Sequence, residues 1–298
     1  MNRSPDDAQR VAVIIGEIAQ TGRAVAHRFA AADYAVGLIG IDDAALQKIR
    51  KEIEALGGRA ATAVADITDF DSVVRAIDQL EAELGPVEVW VNDAADSEAA
   101  SVAQMTAGDY RRVMESAYLG FVHGALAALR SMRPRNRGRI IQIGWAAAQA
   151  GAPLQSAYCG AQHAVRGFIA CLGAELKAEG LQVSAAIIDL PAVEGSSQAQ
   201  ARVDRPWWRP ASRPIGPEAV ASAVLKAAEG RWSEYRPVAS SLTPKAGAAD
   251  SPFGSSAGDG AMLAPAALVR AGVLTAGAAA IFGLGAAIGL SRTRSRPH

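Results

Sequence analysis

Val11-Ala12-Val13-Ile14-Ile15-Gly16-Glu17-Ile18-Ala19-Gln20-Thr21-Gly22 is the stretch from which the fold follows. Five apolar residues in a row read as a strand buried on both faces, because a strand with one wet face would alternate. Glycine ends the run, and an amphipathic segment over 21–32 follows it. The same pattern repeats downstream. Residues 35–39, 60–65, 87–91, 139–143 and 183–188 are short apolar runs, separated by longer helical stretches at 44–56, 69–84, 107–132 and 156–179. Gly57-Gly58 stops the second helix, Asp69 offers a cap to the third, and Gly85-Pro86 closes it. Buried strands separated by helices pair in parallel, with helices on both faces and right-handed crossovers. The expected fold is α/β, a doubly wound parallel sheet of the dinucleotide-binding type.

The chain has 298 residues, and the expected organisation is a polar leader (1–10), one α/β domain (11–240), a flexible linker (241–264) and an apolar helical tail (265–298). The leader is too polar for a secretory signal, so a cytoplasmic location is expected. Residues 191–215 are rich in Pro, Arg and Trp, suiting a loop over a cleft, and 217–229 read as a further helix. Trp207-Trp208 in that loop reads either as an apolar lid or as surface tryptophans packed on the domain. Residues 271–290 carry no charge, and Arg292, Arg294 and Arg296 follow. That length spans a bilayer, and Gly285 and Gly289 form a GxxxG. The trailing arginines oppose a simple tail anchor, so membrane association, an interfacial helix and a soluble packing helix all stay open.

Composition excludes some classes. Thirty basic residues balance thirty acidic ones, which argues against a nucleic-acid binder. The four histidines have no metal-ligand spacing, and no metal is expected. Cys159 and Cys171 fall on one expected helix, about 18 Å apart, and stay reduced.

Ser156-Ala157-Tyr158-Cys159-Gly160-Ala161-Gln162 resembles the active-site helix of the short-chain dehydrogenase/reductases, whose signature is Tyr, three residues, then Lys. The resemblance covers residues 11–237 and implies a Rossmann-type domain that moves hydride between NAD or NADP and a carbonyl or alcohol. Asp66-Ile67-Thr68-Asp69 resembles the family's Asp-x-Thr-Asp; Asp66 would then accept from the adenine amino group, or else cap its own turn. Asn92-Asp93-Ala94-Ala95 resembles Asn-Asn-Ala-Gly, with Asn92 in place and Asp93 adding charge where a diphosphate would lie. Gly16 and Gly22 match the glycine-rich loop, but Gln20 replaces its middle glycine and is expected to obstruct the pyrophosphate. Asp42 reads either as a ribose ligand or as a helix cap.

The catalytic positions are more altered. Tyr158 keeps the proton-transfer position, while Gln162 stands for the Lys, Trp145 for the Ser and Ala117 for the Asn. Gly144 replaces a second serine, and Gly195 stands where a Thr commonly holds the carboxamide. Without a neighbouring cation a tyrosine keeps a pKa of about 10, so only about one part in a thousand is phenolate at neutral pH. Three readings follow. One is a pseudoenzyme, a scaffold or a nucleotide- or ligand-binding module in which cofactor binding is weakened. The second is a working oxidoreductase with a divergent site built on Tyr158. The third is a membrane-tethered structural protein in which the fold only dimerises. The resemblance also implies a homodimer or homotetramer paired through residues 107–132 and 156–179.

Overall fold

Six strands pair in parallel in the order β3-β2-β1-β4-β5-β6. They are β1 (Val11–Gly16), β2 (Ala35–Gly40), β3 (Ala60–Val64), β4 (Val87–Asp93), β5 (Gly138–Trp145) and β6 (Val183–Leu190). The computed structural model describes residues 9–230 except 17, 19, 94–98, 150 and 195–212. The expected linker and apolar tail, Gly195 and the Trp207-Trp208 loop lie outside the described residues. Among the described residues no helix is long and apolar enough to cross a membrane.

The strand order reverses beside β1, as in a doubly wound sheet, because chain growth moves outward to β3 and then returns past β1 to β4. Helices α1 (Gln20–Ala31), α2 (Asp43–Ala55) and α7 (Pro217–Glu229) cover one face. Helices α3 (Phe70–Leu84), α5 (Gly120–Met132) and α6 (Ser156–Ala178) cover the other. Alternate strand residues therefore enter two separate cores. Val11, Val13 and Ile15 face the second layer, and Ala12 and Ile14 face the first.

Local chemistry sets the helix starts. Asp42 caps α2 by accepting from the Ala45 N–H at 3.2 Å, which favours the cap over the ribose-ligand reading. Asp69 caps α3 through the Asp71 and Ser72 N–H groups. Helix α4 (Ala107–Met114) opens with a capping box, in which Thr106 and Asp109 satisfy each other's backbone.

The helix expected over 107–132 is one path with a change of pitch. Residues Glu115–Leu119 form a π turn between α4 and α5, where the Gly120 N–H donates to the Glu115 carbonyl. Strands β4, β5 and β6 also run further than the apolar runs suggested. Each gains residues at its C-terminal end, which places Asn92, Asp93, Gly144, Trp145 and Asp189 within the sheet.

Candidate functional site

In doubly wound sheets the cleft opens at the C-terminal ends of the strands, beside the reversal of order. Here β1 and β4 flank that point, with Gly16 paired to Asp93. Gly16 has φ +135°, a conformation that favours glycine and lets the chain turn from β1 toward α1. The Gly16 carbonyl lies 3.1 Å from the place of a Gly40 Cβ, so the two glycines also let β1 and β2 close up.

Gly22, in the first turn of α1, is crowded by the protein itself. A Cβ there would stand 3.1 Å from Asp93 Oδ2 and 3.2 Å from Ile18 Cγ2. The expectation for Gln20 is corrected. Its side chain is exposed and lines a cavity of about 840 Å³ between α1, α2 and α7, together with Arg23, His27 and Lys48. The group that meets the helix start is instead Asp93, which is buried.

Asp66 is exposed and accepts from the Thr68 N–H and hydroxyl, both at 2.8 Å. One carboxylate oxygen therefore holds its own turn. Asn92 is fully buried and lies under α5 rather than in the cleft. Its Oδ1 is 2.9 Å from the place of a Gly124 Cβ, next to Trp90 Nε1 at 2.8 Å.

The four catalytic positions fall in one region. Tyr158 and Ala117 lie in a small buried apolar cluster with Trp145, Val113, Ala148 and Ala161. Ala117 sits in the π turn and Trp145 ends β5. Tyr158 is only 4 % exposed. Burial, then the charge of Asp93, Cys159 and Asp189, holds its phenol well above the ordinary tyrosine value. Nothing at position 162 opposes this, because Gln162 is neutral. Its amide is buried, with no hydrogen-bond partner for either polar atom.

Beside Gln162 lies a charged group that the sequence reading did not single out. Arg166 donates to Asp189 Oδ1, and Gln149 Nε2 donates to Asp189 Oδ2 at 2.6 Å. Asp189 Oδ1 and Gln162 Oε1 stand 3.1 and 3.2 Å from the place of a Gly144 Cβ, so they crowd the space a serine there would use. A signal was available: Tyr158, Gln162 and Arg166 recur every four residues and share one face of α6. The cation on this face, Arg166, stands one turn beyond Gln162 and is committed to a carboxylate.

His163 bonds to the Cys159 carbonyl of its own helix at 2.8 Å, so its ring is held there rather than at Tyr158. Cys159 is buried and Cys171 exposed, and both are free thiols. Among the described residues no group of three or more His, Cys, Asp or Glu side chains could hold a metal ion.

A nicotinamide dinucleotide needs a phosphate-accepting turn at α1 and a cation at its ribose end. The first carries Asp93, and at the second Gln162 is neutral while Arg166 is paired to Asp189. The residues present do not fit that group.

Comparison with known proteins agrees with the architecture. The family model described as short chain dehydrogenase matches residues 10–204. The 3-oxoacyl-acyl-carrier-protein reductase FabG of Haemophilus influenzae is 29% identical over 176 residues, 59% of this chain and 71% of that protein. A protein of Xanthobacter autotrophicus named inactive 2-(S)-hydroxypropyl-CoM dehydrogenase 2 is 34% identical over 150 residues, 50% of this chain and 64% of its own length. Several curated relatives are matched over less than two thirds of their length. Among solved structures, an actinorhodin polyketide ketoreductase with NADPH superposes with a TM-score of 0.69 at 21% identity, covering 77% of this chain and 95% of that one. At that identity the likeness shows the fold alone.

Proposed function

We propose that this chain, which belongs to the short chain dehydrogenase family, is a redox-impaired member that keeps the fold as a scaffold or ligand-binding module. One observation carries the reading. The proton-transfer tyrosine, Tyr158, is packed into an apolar cluster with Trp145, and its i+4 neighbour is the neutral Gln162. Both changes act in one direction. Burial disfavours the phenolate, and no cation at position 162 restores it. Trp145 is packed in the same buried cluster as Tyr158, in volume that a carbonyl would have to enter. General acid–base assistance is worth about 10²–10⁴-fold, and loss of substrate orientation adds to that. The inactive Xanthobacter relative supports the reading as a precedent within the same family.

The test is turnover. The purified full chain is assayed with NADH and with NADPH against a panel of ketones, diketones and aldehydes. The expected result is no consumption above the buffer rate. The quadruple variant Asp93→Asn, Ala117→Asn, Trp145→Ser, Gln162→Lys is expected to bring back measurable reduction. Rapid turnover by the unaltered chain would overturn the reading and favour a divergent oxidoreductase built on Tyr158.

The same proposal includes pairing of two or four copies through the helices over 107–132 and 156–179, and membrane association through 271–290. Light scattering reads the first, and flotation with liposomes before and after removal of the tail reads the second.

A further inference from the structure

Helix α1 has no acidic residue in its first turn. The N–H groups at a helix start lack intrahelical partners and attract negative charge. Tertiary structure supplies that charge from another element. Strand β4 continues to Asp93, which pairs in register with Gly16 where β1 gives way to the loop. Asp93 is 5% exposed. Its Oδ2 lies 3.1 Å from the place of a Gly22 Cβ, on the side of the helix start that a glycine leaves bare.

We infer that Asp93 is an internal anion seated at the start of α1, and that it excludes phosphate-bearing ligands from the cleft. The inference rests on the reading above and deepens it from lost chemistry to lost cofactor entry. It also gives Gly22 a role within the chain. The glycine leaves room for a carboxylate of the same chain rather than for an external diphosphate. A phosphate approaching that turn meets a like charge a few ångströms away, which weakens binding about 100-fold or more. Ligands without phosphate escape this penalty.

The experiment is calorimetric titration of the full chain at low salt with ADP, adenosine and NADPH. It compares the unaltered protein, Asp93→Asn, and Asp93→Asn combined with Gly22→Ala. The unaltered protein is expected to show no ADP binding at millimolar concentration. Asp93→Asn is expected to gain about 100-fold or more for ADP and NADPH and nothing for adenosine. Adding Gly22→Ala is expected to abolish that gain, because the new Cβ presses on the side chain at 93 and on Ile18 and distorts the helix start that would meet the phosphate. Two results would overturn the inference. One is micromolar ADP binding by the unaltered chain, which requires no variant to fold. The other is unchanged ADP affinity in an Asp93→Asn protein whose thermal melt stays cooperative. Neither bears on turnover. An Asp93→Asn protein that binds NADPH but reduces nothing leaves both conclusions standing, whereas turnover by the unaltered chain removes the redox-impaired reading.

Discussion

Gln162→Lys tests directly the proposal that Tyr158 lacks electrostatic support. Burial first, then Asp93, Cys159 and Asp189, raise the Tyr158 phenol above its ordinary value of 10.0. Residues four apart on a helix have Cβ atoms about 5–6 Å apart. An ammonium placed there interacts with a phenolate by about 3 kcal/mol at an effective dielectric constant of about 20. That is worth about two pH units. The lysine also meets Asp189, whose Oδ1 lies near the same Gly144 position as Gln162 Oε1, and this shared attraction reduces its effect on Tyr158. The single substitution therefore offsets only part of the rise, and the phenolate at neutral pH stays at about one part in a thousand or below. The assay is a near-ultraviolet phenolate titration, taken as the difference between each protein and its Tyr158→Phe counterpart. The midpoint is expected to fall by one to two pH units, while NADPH consumption with a diketone stays at background. A midpoint that does not move or that rises would refute the electrostatic argument. Robust turnover by the single variant would refute the claim that Trp145 and Ala117 matter as well.

Three further expectations concern stability. Glu52 accepts from Arg23 and His27 at 2.8 and 3.0 Å, which holds its carboxyl at about 2 instead of 4.5. The contribution is present above the unfolded value and is lost as pH falls from about 4.5 toward 2; screening of a side chain 26% exposed limits it to about 1 kcal/mol. Urea melts of Glu52→Gln should show that deficit at neutral pH and a shrinking one in acid. Arg166→Gln leaves the buried Asp189 carboxylate with Gln149 but no cation, and should cost about 3 kcal/mol in the same assay. Gly124→Ala drives a methyl to 2.8 Å from Trp90 Nε1 and 2.9 Å from Asn92 Oδ1, and should cost about 1–3 kcal/mol; a stabilised protein would show that the polar atoms there move aside freely.

The layered fold was legible because each apolar run has one meaning in this architecture. A five-residue run such as 35–39 between two helices has no stable place except a covered parallel strand. The caps at Asp42 and Asp69 were legible for a local reason, since a side-chain oxygen reaches a backbone N–H two or three residues on. The far ends of the strands were not. Asn92-Asp93, Gly144 and Asp189 break the apolar pattern, so the periodicity stops before the sheet does, and Asp93, Asp189 and the Trp145 that follows Gly144 are residues that fill the site. Gln20 was misjudged because a side chain at a helix start can turn to either side of the axis, and only the packing of α2 and α7 settles which. The Arg166–Asp189 pair joins residues 23 apart in sequence, and spacing along α6 pointed to only one of them.

The wide turn at Glu115–Leu119 makes this molecule sensitive to counting. It stores one residue more than an α-helix would over the same rise, so the flanking helices keep the setting of a continuous helix. Removing one residue there would let α4 run straight into α5 with little rotation, whereas adding one would swing α4 by about 100° about the shared axis. An insertion would therefore take Tyr110 away from Ser156, which its hydroxyl now meets at 2.7 Å. The length of this segment works like the tooth count of a gear. Replacements along 115–119 and the loss of one residue should therefore be tolerated far better than an insertion.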